Sequence, residues 1–232
     1  MIFSKEEYNH RIKKVKETMS KKGIDILIST DPSNMNYLTG YDGWSFYVPQ
    51  GIIISIDEDQ PYWFGRKQDS NGARITTFLN EENIYGYPEN LIQSPPLHPY
   101  DYVVQLIKDK KWSSNCIGVE MDSYYYTAEN HSRLKNNLTD AKFINAHLLI
   151  NWVRYIKSEN EIKYMKDAGL LVRAGMQTAF DSIKEGVKQS TVAGKINNTL
   201  IAGNDEKKMG GEYAVLGLIL SSGKSASSSH LT

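Results

Sequence analysis

The chain has 232 residues, which is long enough for one large domain or two ordinary ones with buried cores. Lysine plus arginine and aspartate plus glutamate number 27 each, and this zero formal charge argues against a nucleic-acid-binding surface. The longest apolar stretch, residues 214–220, is far shorter than the roughly 20 residues of a membrane-spanning helix, and an aromatic content of 11% argues against disorder.

The first half of the chain predicts a mixed α/β domain. A capping box at Ser4–Glu7 opens a helix with a buried face of Tyr8, Ile12, Val15 and Met19, and Gly23 ends it. Further elements are expected in chain order: a strand at 24–28, a hairpin of strands 51–56 and 61–64, a helix at 69–79, a proline-rich loop from 88 to 99, a helix at 100–110, a strand at 116–120 and a helix at 127–138.

The pattern changes near residue 157, where we place a domain boundary. An amphipathic helix is predicted at 159–184, with Gly186 ending it, and a second helix capped by Ser190 extends to Ile201. A polar loop at 203–211 and a buried strand at 214–220 follow. We therefore expect a complete domain at 1–156, followed at 157–232 by the beginning of a second domain that is itself incomplete.

The single cysteine and the amino terminus indicate a compartment. Cys116 has no partner for an internal disulfide, and its setting in a predicted buried strand favours an inert core thiol over a nucleophile. The first seven residues contain no apolar segment of a secretory leader. Both features predict a reducing cytoplasm.

Three segments of the sequence resemble segments of a known protein family. Residues 31–41 (Asp-Pro-Ser-Asn-Met-Asn-Tyr-Leu-Thr-Gly-Tyr) predict a turn held by Asn34 and a short helix ending at Gly40. With the Gly-Ile-Asp strand before it, this string resembles the N-terminal domain of the creatinase/prolidase family. Residues 154–162 resemble that family's interdomain signature, and residues 222–230 resemble the loop with its first active-site histidine. The resemblance implies that residues 157–232 begin a pita-bread α+β catalytic domain.

The same resemblance assigns His230 as the catalytic residue. In creatinase-like members this histidine is the general base or acid, and in the metallopeptidases it assists a water held by two metal ions. The family's metal ligands follow that histidine in the chain, so no metal site and no cofactor is expected in these 232 residues. Asp205 and Glu206 are expected in a solvated turn. The other histidines are expected to be structural or solvated: His10, His98, His131 and His147.

Residues 63–74 are the segment most informative about substrate. Arg66 follows an aromatic strand end, and with Trp44, Phe46 and Tyr47 it predicts a carboxylate-binding corner; an ordinary strand end before a polar helix is the alternative. Together with Gly-Tyr-Pro at 86–88 and His98-Pro99, the string resembles the ectoine hydrolase group of the family, which opens a cyclic amidine. In this group the N-terminal domain reaches the active site of its partner in a homodimer.

Three functions follow from these observations. The first is a creatinase-type C–N hydrolase acting on an ectoine-like, carboxylate-bearing small molecule. The second, within the same family, is a Xaa-Pro dipeptidase that uses a metal pair. The third is of another class: a non-catalytic chain that only dimerises or binds a ligand.

Overall fold

The computed structural model describes residues 2–203 and 220–228, and the chain divides into two compact units, Met1–Ile156 and Lys157–Thr232. The α-helices of the first unit are α1 (Lys5–Lys21), α2 (Pro32–Thr39), α3 (Ser70–Thr76), α4 (Pro99–Asp109), α5 (Ala128–Asn137) and α6 (Leu149–Val153). Its strands are β1 (Ile26–Ser29), β2 (Gly51–Ser55), β3 (Tyr62–Arg66), β4 (Ile84–Tyr87), β5 (Cys116–Val119) and β6 (Lys142–Asn145).

These strands form one mixed sheet in the order β4-β3-β2-β1-β5-β6. The predicted hairpin is confirmed, because β2 and β3 pair antiparallel with Ile53 opposite Tyr62. At the two outer positions, β4 pairs in parallel with β3, and β6 pairs in parallel with β5. These two strands and the short α6 were not predicted from the sequence.

Two hydrophobic clusters cover the two faces of the sheet. Successive side chains of β1 point to opposite faces of the sheet. Leu27 therefore packs in the cluster under α1, α2 and α6, whereas Ile26 and Ile28 pack in the cluster under α4 and α5. Trp63 and Phe64 divide β3 between the faces in the same way. The first unit is therefore an α/β domain with a mixed sheet between two helical layers, as predicted.

The predicted capping of α1 is confirmed at Gly23 and for Ser4. The Ser4 hydroxyl accepts a hydrogen bond from the Glu7 backbone N–H, Glu7 Oε1 accepts from Arg11, and Gly23 adopts a positive φ of 64°. The N–H of Gly23 bonds to the Ser20 carbonyl and that of Ile24 to the Met19 carbonyl, which is the Schellman arrangement. All four predicted face residues are buried.

The described part of the second unit consists chiefly of α7 (Glu159–Ser182) and α8 (Gln189–Ala202), so both predicted helices are confirmed. Ser158 caps α7 in a reciprocal capping box with Glu161. The predicted cap at Ser190 is wrong, because the N-cap is Lys188, two residues earlier, and α8 begins at Gln189. The predicted strand at 214–220 lies, apart from Leu220, outside the described residues.

Much of the apolar stripe of α7 is exposed, with Met165 57%, Val172 59% and Met176 52% accessible. Ala179 is buried against Val192 and Ile196 of α8. No helix within the described ranges combines the length and the apolar character needed to cross a membrane.

Candidate functional site

The carboxyl ends of five strands meet at one edge of the sheet. β2 runs antiparallel to both β1 and β3, and β4, β5 and β6 are parallel to their neighbours, so every strand except β2 points the same way. In open α/β sheets, ligands bind outside the carboxyl ends of the strands. This edge carries Arg66 at the end of β3 and Glu120 directly after β5. It also carries the loop 41–50, which enters β2 from this side.

Arg66 and Glu89 form an ion pair at this edge. The Arg66 Nε donates to Glu89 Oε2 at 2.7 Å. The pKa of Arg66 is raised, first by this hydrogen bond and to a smaller extent by the nearby Tyr47 hydroxyl and Asp69 carboxylate. Within residues 2–203 and 220–228, no hydrogen bond reaches the two terminal nitrogens of the guanidinium. The Arg66 side chain is 24% exposed, so the two terminal nitrogens can donate to the carboxylate of a ligand.

The predicted aromatic side chains lie on loop 41–50. Trp44 and Phe46 pack edge to face with ring centroids 4.5 Å apart, and Phe46 contacts Tyr125 at 5.6 Å. Trp44 is 51% and Tyr47 65% exposed. Of the three, Tyr47 contributes to the raised pKa of Arg66. In the described part of the chain, Trp44 and Phe46 make no ring contact with the guanidinium and extend toward the loop after β5.

A buried polar cluster lies beneath this loop. The side-chain oxygen Oε1 of Gln50 accepts from the Ser45 hydroxyl at 2.9 Å and from the Tyr41 hydroxyl at 3.2 Å. Burial raises the pKa of Asp69, and the nearby Ser45 hydroxyl and Arg66 guanidinium partly oppose that rise. The loop is joined to the strand ends that carry Arg66 by Tyr87, which lies opposite Arg66 and whose hydroxyl donates to the Pro49 carbonyl at 2.6 Å.

A second network joins the ends of β1 and β5 to α6. The buried Glu120 carboxylate accepts from Ser29 Oγ at 2.9 Å, from the Thr30 N–H at 2.9 Å and from Asn34 Nδ2 at 2.7 Å. Burial raises the pKa of Glu120, and these donors oppose the rise. Asn34 Oδ1 in turn accepts from Arg154 Nη1 at 2.7 Å.

This network corrects the role predicted for Asn34. Its side chain does not hold the local turn, because Asp31 does so by accepting from the Ser33 and Asn34 backbone N–H groups. The helix ends at Gly40, as predicted, and this glycine adopts a positive φ of 83°.

Two open cavities differ in their relation to this edge. The larger, about 660 Å³, lies along the outer face of α1 between Lys5, Lys16 and the tip of the hairpin. The smaller, about 460 Å³, is lined by Asn36, Tyr41 and Arg154. The smaller cavity adjoins loop 41–50, whereas the larger one is lined by the surface lysines of a solvated helix face.

The remaining predicted site residues have different outcomes. His230, Asp205 and Glu206 lie outside the described residues. His98 caps α4 through Nδ1, which accepts from the Tyr100 N–H, so its predicted structural role is confirmed. No cluster of three or more histidine, cysteine, aspartate or glutamate side chains suited to a metal ion occurs in residues 2–203 and 220–228.

Cys116 is only half-buried, contrary to the prediction of full burial, because it is the first residue of β5. Burial nevertheless raises the pKa of its thiol, which lowers the fraction of reactive thiolate.

Comparison with known proteins decides the family. A family model described as the creatinase/prolidase N-terminal domain matches residues 11–156. The chain belongs to the creatinase/prolidase family. It is 41% identical over 234 residues to an ectoine hydrolase of Halomonas elongata, covering 99% of this chain and 58% of that protein. An uncharacterized hydrolase/peptidase of Sinorhizobium fredii is 42% identical over 203 residues, covering 88% of this chain and 52% of that protein.

Solved structures of the family share the fold. A Xaa-Pro dipeptidase from Bacillus anthracis aligns with a TM-score of 0.64 at 19% identity, covering 83% of this chain and 48% of that one. A prolidase from Thermococcus sibiricus aligns with a TM-score of 0.67 at 18% identity, covering 83% of this chain and 49% of that one. The chain spans about half the length of the curated relatives it matches.

The ion-pair partner of Arg66 was not predicted from the sequence, because β4 was not predicted. β3 and β4 pair in parallel with Arg66 opposite Tyr87, and this pairing places Glu89 at the same edge as Arg66. Ser45 and Gln50 gave a weaker signal, a polar residue between outward-facing aromatics and another directly before a buried strand.

Proposed function

We propose that this chain is the N-terminal part of a creatinase-type C–N hydrolase that opens an ectoine-like cyclic amidine. The 41% identity to an ectoine hydrolase over 99% of the chain supports the substrate class. The observation that carries the proposal in the structure is the Arg66 guanidinium, which is held at Nε by Glu89 and open at its terminal nitrogens.

The position of Arg66 suits a substrate carboxylate. A guanidinium fixed through one nitrogen keeps a planar pair of donors in a constant direction, and such a pair matches the two oxygens of a carboxylate. The exposed rings of Trp44 and Tyr47, both on loop 41–50, offer an apolar wall. In this proposal Arg66, Trp44, Phe46 and Tyr47 bind the carboxylate end of the substrate.

The proposed reaction is hydrolytic. Water adds to the amidine carbon, the bond from that carbon to one ring nitrogen breaks, and this nitrogen takes a proton and leaves as an amine. The former amidine carbon becomes the carbonyl of an N-acetyl group on the other nitrogen. We assign the proton transfer to His230 by its resemblance to the family's histidine, because an imidazole titrates near neutral pH.

The proposal includes a homodimer in the cytoplasm. The family resemblance implies that the corner around Arg66 serves the active site of the partner protomer. The single Cys116 is in keeping with a reducing compartment.

Substitution of Arg66 tests the proposal in the complete gene product that carries this chain. Arg66→Ala should raise the KM for ectoine about 10- to 150-fold, the equivalent of about 1.5–3 kcal/mol for hydrogen bonds to a charged group, and Arg66→Lys should recover part of the loss. The matched control is Arg74→Ala, which removes an exposed arginine paired with Glu81 and should leave KM unchanged.

Two further assays separate the alternatives. An Arg66→Ala enzyme with unchanged KM on ectoine would overturn the assignment of the corner, and an effect confined to a Xaa-Pro dipeptide would favour the dipeptidase. Dialysis against a chelator should leave the proposed creatinase-type activity intact and abolish that of a dipeptidase with a metal pair. The 232-residue chain by itself should show no turnover on either substrate; turnover that His230→Ala abolishes would contradict this.

A further inference from the structure

The loop that carries the aromatic side chains is closed on itself by buried polar groups. Tyr41 is its first residue and Gln50 its last, and the hydroxyl of Ser45, in the middle, lies 3.1 Å from the Tyr41 hydroxyl and 2.9 Å from the Gln50 oxygen. A Cβ on Gly43 would lie 2.2 Å from the Tyr41 hydroxyl, so the chain folds tightly onto that side chain. The loop is thus a compact unit whose ends and centre meet at one point.

Burial alternates along this loop. Ser45 is 5% and Gln50 3% exposed, whereas Trp44 and Tyr47 on either side of Ser45 are exposed. The inward hydroxyl therefore fixes the stretch of backbone from which the outward rings project. Since buried hydrogen bonds are costly to break, the direction of those rings depends on this small cluster.

The loop is also tied to the Arg66 side of the site. Tyr87 lies opposite Arg66 in the β3–β4 pair, and its hydroxyl donates to the Pro49 carbonyl at 2.6 Å. Tyr87 thus joins the end of the loop to the strand ends that carry Arg66.

We propose that Ser45, Gln50 and Tyr87 are positioning residues that hold the aromatic loop against Arg66 and thereby set the affinity for a carboxylate-bearing ligand. The affinity part rests on the proposed function, whereas the holding of the loop does not. None of the three needs to touch the ligand.

The first test follows the loop without any substrate. The chain contains four tryptophans, and labelling with 5-fluorotryptophan gives one fluorine resonance for each, with Trp44 assigned from Trp44→Phe. Ser45→Ala should shift or broaden the Trp44 resonance and leave that of Trp112 unchanged. The matched control is Ser29→Ala, which removes another fully buried hydroxyl, bonded to Glu120, and should leave the Trp44 resonance in place.

The second test measures affinity in the complete gene product. Ser45→Ala should raise the KM for ectoine about three- to tenfold at unchanged kcat, as expected for the loss of neutral hydrogen bonds that support binding, whereas Ser29→Ala should change neither parameter. Tyr41→Phe keeps the ring and removes only the hydroxyl, so it should reproduce a weaker form of both effects if Ser45→Ala does not fold.

The outcomes separate this proposal from the proposed function. If Arg66→Ala raises KM while Ser45→Ala moves neither the Trp44 resonance nor KM, the positioning role is wrong. A Trp44 resonance that moves with no change in KM overturns the link to affinity. If Arg66→Ala has no effect on KM, the proposed function fails, and the fluorine resonance alone decides whether the cluster holds the loop.

Discussion

Replacement of Asn34 by leucine tests how much the network at the end of β1 contributes to stability. Asn34 is 1% exposed, and its amide donates to Glu120 Oε1 at 2.7 Å and to Asn151 Oδ1 at 3.2 Å while accepting from Arg154 Nη1 at 2.7 Å. Leucine has the same branching and the same number of side-chain heavy atoms, and it forms none of these bonds. The substitution removes the polar contacts and adds crowding by the larger methyl groups, for which the same change at Asn36 serves as the control.

Two of the lost bonds involve charged groups, each contributing about 1.5–3 kcal/mol. Because one side chain makes both, the losses are not additive, and we expect the free energy of unfolding to fall by about 2–4 kcal/mol. For a chain of this size, that corresponds to a decrease in Tm of roughly 4–16 °C. Urea denaturation followed by circular dichroism measures the loss. Asn36→Leu, in the same helix, is the control, since it removes one neutral bond to the Tyr41 carbonyl and should cost about 1 kcal/mol.

The loss should also depend on pH. Burial raises the folded-state pKa of Glu120 above its ordinary value of 4.5, so the folded protein retains this proton to higher pH and this group lowers stability as the pH rises past that value. Removing the Asn34 donor raises the folded-state pKa further. The difference between Asn34→Leu and the unmodified protein should therefore be larger at about pH 7 than at about pH 4. A loss within about 0.5 kcal/mol of that for Asn36→Leu, with no dependence on pH, would refute this account of the network.

Two other predictions concern the fold. Gly40→Ala should destabilise the protein by about 2–3 kcal/mol, because the new Cβ would lie 2.8 Å from the Tyr8 hydroxyl at a φ of 83°. Gly23→Ala, with a φ of 64° and no atom within 4 Å of the new Cβ, should cost about 1 kcal/mol. Thermal denaturation measures both losses, and equal losses would contradict the steric argument. Residues 1–156 expressed alone should unfold cooperatively, since the two clusters around the sheet draw their members from residues 3–153, and a fragment without near-ultraviolet circular dichroism would show that the boundary is wrong.

The sequence predicted the elements whose patterns are strong and local. α1 and α4 have clear apolar stripes, and the β2–β3 hairpin surrounds a polar turn. β4 was missed because Ile-Tyr-Gly-Tyr contains a glycine and runs directly into Pro88. β6 begins with lysine and ends with asparagine, and α6 begins after Leu148 at a φ of 62° without a capping side chain, so neither gives a usual signal.

The site was predicted in part for a similar reason. The chemistry of Arg66 can be inferred from its own sequence context, but Glu89, 23 residues away, becomes its neighbour only through parallel pairing. Asn34 shows the same limit, since its partners Glu120 and Arg154 are 86 and 120 residues away. The role of holding the turn was assigned to Asn34 although the sequence contains the signal for Asp31: an aspartate directly before a proline at the first helical position.

The two outermost strands of the sheet bear on how copies of this chain can associate. β4 and β6 are each four residues long, so each offers few unpaired backbone groups at its outer edge. β6 carries the exposed side chains of Lys142 and Asn145. Short edge strands give a strand of another copy few backbone groups to pair with, which disfavours growth of the sheet into fibrils. Association of copies should therefore depend on contacts between side chains, where single substitutions can strengthen or abolish it.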